Sequence, residues 1–257
     1  MFVTTIERTT DDFNKKAMKI SEELNLPFVV RNRVTVKKLM NQNQSDCLVV
    51  GNDLVFNSFP TGQSVFFHPN FAQVRLKRYL KGEKDAFIDI AKLEPGDHVL
   101  DCTLGFASDA ILASMKVGEN GSITGLENNK IWAYILKHRL KEYETNFMEL
   151  KNALNKIQCL NRDYEEYLLN VPDKSYDVVY FDPMFEQSIE ESNGLNSLKS
   201  FASDEKLSKE TIHQAIRVAR KQVILKAHYK SHLFEELGFK VIVRKTSKFH
   251  FGVIKIN

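Results

Sequence analysis

The sequence predicts an α/β protein with a mostly parallel sheet. Strand and helix signals alternate along the C-terminal two thirds of the chain, which indicates repeated β–α units with helices on both faces of one sheet. The last two strand signals, 240–246 and 250–256, have no helix between them. They should therefore form an antiparallel hairpin at the sheet edge or one position inside it.

Length and composition agree with that class. The 257 residues are 43% hydrophobic and 27% charged, which suits one large soluble α/β domain with a small appendage, or two small domains. We expect the large domain to span residues 86–257 and to hold a seven-stranded sheet. Its other strand signals lie at 98–104, 122–128, 156–161, 176–182 and 222–227. A terminal hairpin on such a sheet is typical of Rossmann-like class I methyltransferase domains, whereas most dinucleotide-binding domains lack it.

Residues 1–85 are interpreted as a small N-terminal α/β appendage with a linking helix. An amphipathic helix is predicted over 11–25, and two short strands are predicted on either side of the turn residues 51–53. Residues 71–93 have helical spacing and lead into the first large strand. The connection 184–208 is long for a compact domain, and we expect it to be a substrate-gating lid.

Several protein classes are excluded by the composition. No apolar run approaches the roughly 18 residues that a membrane helix needs, and the N-terminus lacks a signal-peptide core. The three widely spaced cysteines, Cys47, Cys102 and Cys159, fit a reducing cytoplasm, and we expect no metal site. The net charge of +3 permits a polyanionic partner without requiring one.

A nucleotide-type cofactor site is predicted where the first large strand ends. The turn Asp101-Cys102-Thr103-Leu104-Gly105 has one glycine, whereas a pyrophosphate-binding turn needs three. S-adenosylmethionine has no pyrophosphate, and its amino group favours nearby carboxylates such as Asp101 and Asp109. The alternative for Asp109 is a helix-starting acid that the helix dipole favours.

Two further acids are candidates for the same ligand. Glu127 ends the second strand, where an acid binds ribose hydroxyls. Asp163 follows the third strand, where an acid accepts a hydrogen bond from the adenine amino group. The alternative for Asp163 is an N-cap of the helix that follows, and one residue can do both.

The run Tyr180-Phe181-Asp182-Pro183-Met184-Phe185 follows an apolar strand. An acid, a proline and an aromatic residue at this place suit the methylation of an exocyclic amine of a base. Asp182 and the Pro183 carbonyl can accept the N–H bonds of a poorly nucleophilic nitrogen, and Phe185 can stack on a base turned out of its helix. The alternative is a strand-ending turn with a core phenylalanine.

These motifs resemble the bacterial RsmJ-type small-subunit ribosomal RNA (guanine-N2) methyltransferases over about residues 66–257. The resemblance rests on VLDCTLGFASDA, Glu127, VVYFDPMF, VILK and KTSKFHF. It implies a class I fold, S-adenosylmethionine as cofactor and ribosomal RNA as partner. The positions that it implies for cofactor binding are Ser108, Asp109, Glu127, Asn128, Arg162, Asp163 and Asp182. Lys226 and Lys248 also match the family, without an assigned role.

Basic residues crowd two predicted elements, and both could contact RNA phosphates. Arg75 and Arg78 lie on the linking helix, and Lys248 lies in the closing hairpin. The alternative for each is an ordinary solvated charged face. Three functions compete at this stage: an RNA base methyltransferase, a methyltransferase that acts on a protein or small molecule, and a non-enzymatic RNA-binding module with a relict fold.

Overall fold

The computed structural model describes residues 1–183 and 207–256. The described chain forms a smaller unit of residues 1–68 and a larger unit of residues 69–183 and 207–256. The linking helix, which was predicted to belong to the appendage of residues 1–85, lies in the larger unit. The lid predicted over 184–208 falls almost entirely outside the described residues.

The smaller unit contains a four-stranded sheet in the order β1-β2-β3-β4. Strands β2 and β3 are the two predicted around residues 51–53, and they pair antiparallel as expected, while β1 adds parallel to β2. The elements are β1 (Phe2–Thr5), α1 (Asp11–Leu24), α2 (Val36–Asn43), β2 (Cys47–Val50), β3 (Leu54–Asn57) and β4 (Ser64–Phe66).

The larger unit contains a seven-stranded sheet in the order β10-β11-β9-β8-β5-β6-β7. Its strands are β5 (His98–Asp101), β6 (Ser122–Leu126), β7 (Ile157–Leu160), β8 (Tyr176–Phe181), β9 (Ala219–His228), β10 (Lys240–Ile242) and β11 (Phe249–Lys255). Strands β5 to β9 pair parallel, and β11 pairs antiparallel with both β9 and β10. The predicted terminal hairpin is thus confirmed, with β10 at the edge and β11 one position inside it.

Helices connect these strands. They are α3 (Asn70–Leu80), α4 (Ala86–Ala91), α5 (Ser108–Val117), α6 (Lys130–Glu142), α7 (Met148–Lys156), α8 (Tyr164–Asn170), α9 (Lys209–Val218) and α10 (Leu233–Glu236). None of the helices in the described residues is long and apolar enough to cross a bilayer.

The helix predicted over 71–93 is two helices, because local residues break it. Gly82 adopts φ +87°, which glycine reaches without steric cost, and α3 ends just before it. Asp85 then caps α4 by accepting hydrogen bonds from the backbone N–H groups of Phe87 and Ile88. The break places Asp85 where it can face α3.

The strand order reverses at β5, whose neighbours β6 and β8 lie on opposite sides of it. Ligands of open parallel sheets bind beside the carboxyl ends of the strands at such a switch point. Asp101 closes β5, Glu127 directly follows β6, and Asp182 directly follows β8. The fold therefore brings the predicted acids to one edge of the sheet.

Candidate active site

The turn after β5 is tied to the turn after β8 through one hydroxyl. The Thr103 backbone N–H donates to Asp101 Oδ1 at 3.0 Å. Thr103 Oγ1 in turn accepts from the Asp182 backbone N–H at 2.6 Å. Burial raises the pKa of Asp101 to about 8, although the Thr103 N–H partly opposes that shift. Thr103 thus fixes the backbone from which the Asp182 side chain projects.

The single glycine of this turn contacts the helix that follows β6. Gly105 adopts φ +50°, and its carbonyl accepts a hydrogen bond of 2.9 Å from the indole N–H of Trp132 on α6. The following helix α5 begins at Ser108, after Ala107 in the left-handed region. The Gly105 carbonyl therefore joins this turn to α6.

Glu127 is a partly buried acid whose side chain contacts backbone N–H groups. Its Oε1 accepts from the Asn129 backbone N–H at 2.9 Å. Burial raises the pKa of its carboxyl to about 7, even though backbone N–H groups of Asn129 and Gly105 oppose that shift. Its neighbour Asn128 is exposed. A carboxylate in this setting can accept hydrogen bonds from a pair of ligand hydroxyls.

Asp163 is the N-cap residue of α8, which confirms one of the two interpretations of this residue. Its Oδ1 accepts from the backbone N–H groups of Glu165 and Glu166 at 2.8 and 3.0 Å. Its Oδ2 is buried and has no hydrogen-bond partner among the described residues. Such an orphaned acceptor costs free energy that a ligand amine could recover by donating to it. The adjacent Arg162 is exposed.

A buried cluster of charges lies beside these acids, with Asp109 at its centre. Asp109 Oδ1 accepts from Arg75 Nη1 at 2.7 Å. Its Oδ2 accepts from the Tyr180 hydroxyl at 2.7 Å and from Lys226 Nζ at 3.1 Å. Lys226 Nζ also donates to Asp182 Oδ2 at 2.6 Å. We call these residues, together with Asp85, the charge cluster.

Electrostatics inside the charge cluster favour the ionised state of Asp109. Burial disfavours its charge, yet Lys226, Arg75 and the Tyr180 hydroxyl lower the pKa of Asp109 below its usual range. Burial likewise opposes the charge of Lys226, but Asp109 and Asp182 outweigh it and raise the pKa of the ammonium. For Asp182, burial raises the pKa, and Lys226 is the main group that opposes the rise.

Arg75 lies inside this cluster, so its position does not fit the surface contact with RNA phosphates that the sequence suggested. Its Nε and Nη2 each donate to the Asp85 carboxylate at 2.9 Å while Nη1 reaches Asp109, and 16% of its side chain is exposed. Arg78 on the same helix is exposed and pairs with Glu83. Lys248 is exposed in the closing hairpin.

The remaining predicted positions divide between the sheet edge and the undescribed segment. Ser108 is partly exposed at the first residue of α5, and Pro183 directly follows Asp182. Phe185 lies outside the described residues. Sequence reasoning did not assign Tyr180 or Asp85 to the site. The only sequence signal for Asp85 was its type, since aspartate is a favoured N-cap residue.

Similarity to a known protein family decides the class of this protein. Residues 31–253 match the family described as "Putative SAM-dependent methyltransferase". The chain belongs to this family. It is therefore a methyltransferase that uses S-adenosylmethionine, and the alternative of a non-enzymatic RNA-binding module is wrong.

Related proteins agree with the assignment. The methyltransferase is 46% identical over 253 residues to "Uncharacterized protein YpiP" of Bacillus subtilis, with 98% of each chain covered. It is 26% identical over 158 residues to ribosomal RNA small subunit methyltransferase J of Francisella tularensis subsp. novicida, a match that covers 59% of this chain and 63% of the relative.

Among solved structures, the methyltransferase NGO1261 of Neisseria gonorrhoeae superposes with a TM-score of 0.60. The alignment covers 99% of this chain and 96% of that one at 17% identity. That likeness shows the Rossmann-like methyltransferase fold.

The residues present fit S-adenosylmethionine. Asp163 Oδ2, which has no partner among the described residues, could accept a hydrogen bond from an amine of this ligand, and Glu127 could accept from its hydroxyls. Within residues 1–183 and 207–256, no group of three or more His, Cys, Asp or Glu side chains is arranged to hold a metal ion.

The cluster geometry predicts that Arg75 stabilises the fold. Arg75→Ala leaves Asp85 and Asp109 buried without their shared cation, and breaking such a buried pair costs about 3–5 kcal/mol. The matched control is Arg78→Ala on the same helix, where an exposed ion pair is removed. Urea denaturation should show a large loss of unfolding free energy for the first variant and little change for the second. Equal losses would contradict the structural role of Arg75.

Proposed function

We propose that this methyltransferase modifies an exocyclic amine of a base in RNA, and that the acceptor is guanine N2 of small-subunit ribosomal RNA. The observation that carries the proposal is the Asp182-Pro183 turn at the carboxyl end of β8. There, Thr103 holds the Asp182 backbone and Lys226 holds its carboxylate. The similarity to ribosomal RNA small subunit methyltransferase J supports the same acceptor class.

The chemistry of a base amine explains why such a turn is needed. The nitrogen lone pair is delocalised into the ring, so the amine is a poor nucleophile. Asp182 and the Pro183 carbonyl accept its two N–H bonds, which favours a pyramidal nitrogen with a directed lone pair. Proline fixes its own φ and has no N–H, so the turn is rigid. The protein's contribution is mainly orientation.

Charge at Asp182 serves a second purpose. As the nitrogen gains a fourth bond it becomes cationic, and a nearby carboxylate stabilises that charge. Burial raises the pKa of Asp182, which also makes it a better proton acceptor at that moment. Lys226 keeps the carboxylate in place without covering both of its oxygens, since its contact is with Oδ2.

We assign the binding of the methyl donor, S-adenosylmethionine, to the acids along the same edge of the sheet. S-adenosylmethionine supplies an activated methyl group on a sulfonium when it is bound. Glu127 accepts from its ribose hydroxyls, Asp163 Oδ2 accepts from its adenine amino group, and Asp101 lies beside the turn that its methionine part approaches. Asp109, whose oxygens are already engaged by Arg75, Tyr180 and Lys226, supports the site rather than the donor.

The direct test of the acceptor is methyl transfer from labelled S-adenosylmethionine. Ribosomal RNA, transfer RNA and total protein, each from a strain that lacks the enzyme, should be offered separately to the purified protein. Nucleoside mass spectrometry should then find N2-methylguanosine in small-subunit ribosomal RNA. Label that enters protein instead, or no RNA label at all, would favour the protein or small-molecule alternative.

The proposed contact between Glu127 and the ribose hydroxyls predicts a pH-dependent affinity for S-adenosylhomocysteine, the product that remains after methyl transfer. Glu127→Gln should weaken S-adenosylhomocysteine binding by about 1–3 kcal/mol, because a charged hydrogen-bond acceptor is lost. Burial raises the pKa of Glu127 to about 7. Wild-type affinity should therefore fall as the pH drops below that value and the carboxylate gains a proton.

Calorimetric titration on both sides of neutrality measures this effect. The control is Glu149→Gln, an exposed glutamate on α7, which should keep the wild-type affinity and pH dependence. A Glu127→Gln variant with wild-type affinity and an unchanged pH profile would remove Glu127 from the donor site.

The role of Asp182 predicts a large loss of turnover. Asp182→Ala should lower methyl transfer by several powers of ten, since orientation supplies many kcal/mol of the barrier. Asp182→Asn should lose less, because its amide oxygen still accepts one N–H. Binding of S-adenosylhomocysteine should fall only modestly in both, unless Asp182 also contacts the methionine part. Turnover must be measured per folded molecule, with melting temperatures on the same samples.

The control for this experiment is Asp173→Asn, which alters an exposed carboxylate before β8. If Asp182 only forms a turn, its variants will lose thermal stability while the folded fraction keeps its activity. That result would remove Asp182 from the mechanism.

A further inference from the structure

We propose that a groove beside the terminal hairpin binds a single-stranded RNA nucleotide that flanks the acceptor base. The inference rests on the proposed RNA substrate. The groove is a surface cavity of about 240 Å³, below the roughly 300–1,000 Å³ of sites that enclose a drug-sized ligand. Its lining residues are Tyr229, Val243, Arg244, Lys245, Ser247 and His250. We call it the hairpin groove.

The hairpin groove lies at the same edge of the sheet as Asp182. Phe181 at the end of β8 pairs with Leu225 of β9, so Asp182 and Lys226 come next on their strands. Tyr229 follows Lys226 by three residues, which puts their Cα atoms at most about 11 Å apart. The Tyr229 N–H donates to the Lys248 carbonyl at 2.8 Å, which fixes it against the hairpin. A strand of RNA with its acceptor base at Asp182 would bring neighbouring nucleotides within reach.

Aromatic rings form one wall of the hairpin groove. The Tyr229 side chain is 49% exposed. Its ring centroid lies 4.6 Å from that of His228 and 6.0 Å from that of His250, and both pairs of rings are tilted. An exposed aromatic ring that its neighbours hold in place is a stacking surface for an unpaired base.

Cations and hydrogen-bond donors form the rest of the hairpin groove. Arg244 and Lys245 line it, and Lys230 Nζ lies 5.6 Å from the Tyr229 ring centroid. The six lining residues include no carboxylate. His250 Nδ1 accepts from the Arg244 backbone N–H at 3.3 Å, so the neutral ring carries its proton on Nε2 as a further donor. This combination of stacking ring and positive charge is complementary to a nucleotide and its phosphate.

Equilibrium binding tests the hairpin groove independently of catalysis. The probe is a fluorescein-labelled, short single-stranded RNA of mixed sequence, and the readout is fluorescence anisotropy at several salt concentrations. Tyr229→Ala should weaken binding about tenfold, because one stacked base is lost, whereas Tyr229→Phe should bind like the wild type. The double variant Arg244→Ala/Lys245→Ala should reduce the slope of log affinity against log salt by about 0.7 for each phosphate that is no longer neutralised.

The matched control is Lys255→Ala. Lys255 is exposed and lies on β11 at the end opposite Phe249, about 20 Å away along the strand. It should leave RNA affinity and the salt slope unchanged. All variants should retain the wild-type melting temperature and affinity for S-adenosylhomocysteine, while Tyr229→Ala raises the KM for RNA.

Two negative outcomes are distinguishable. In the first, the wild type binds and methylates RNA, but Tyr229→Ala and Arg244→Ala/Lys245→Ala bind RNA as tightly as Lys255→Ala does. The RNA-binding role of the hairpin groove is then wrong, and the proposed function stands. If the wild type neither binds nor methylates RNA, the proposed function fails and the hairpin groove fails with it.

Discussion

The contact between the Lys226 ammonium and the Asp109 carboxylate holds the active site together. Through Asp109, helix α5 is joined to α3 by Arg75, to β8 by Tyr180 and to β9 by Lys226. Burying so many charges is costly unless each has a partner. Here each of the three carboxylates contacts a cation, which offsets the free-energy cost of burying their charges and holds the side chains in place. Lys226 then connects the cluster to Asp182, the residue that we propose orients the acceptor amine.

Two independent restraints therefore converge on the turn after β8. Thr103 fixes the Asp182 backbone from the turn after β5, and Lys226 fixes its carboxylate from β9. The site that we propose for S-adenosylmethionine is built differently, because its hydrogen-bond acceptors, such as Asp163 Oδ2, have few protein partners. This contrast has a physical reason. The groups that orient the methyl acceptor must be in place before the reaction, whereas S-adenosylmethionine itself supplies the missing partners of its own site when it binds.

The fold and the acids at the strand ends were predictable because both follow local patterns. Strand periodicity locates β5 to β11, and parallel strands necessarily bring Asp101, Glu127 and Asp182 to one edge. The surroundings of Arg75 were not predictable in this way. Its charge suggested solvent, but its partner Asp85 faces it only because Gly82 breaks the helix. Likewise, the bond between Tyr180 and Asp109 joins residues far apart in sequence, and no periodicity reports such a contact.

The central claim is that Lys226 holds the Asp182 carboxylate in place and favours its ionised form against the effect of burial, and the pH–rate profile of Lys226→Met tests it most directly. Lys226 opposes the burial that raises the pKa of Asp182. Its loss should therefore move the acidic limb of the profile to higher pH, while Lys226→Arg restores it. Lys221→Met serves as the control. Lys221 lies at the other end of β9 from Lys226, and it pairs with Asp97 instead of Asp182. An acidic limb that stays in place in folded Lys226→Met, with wild-type turnover, would contradict the account.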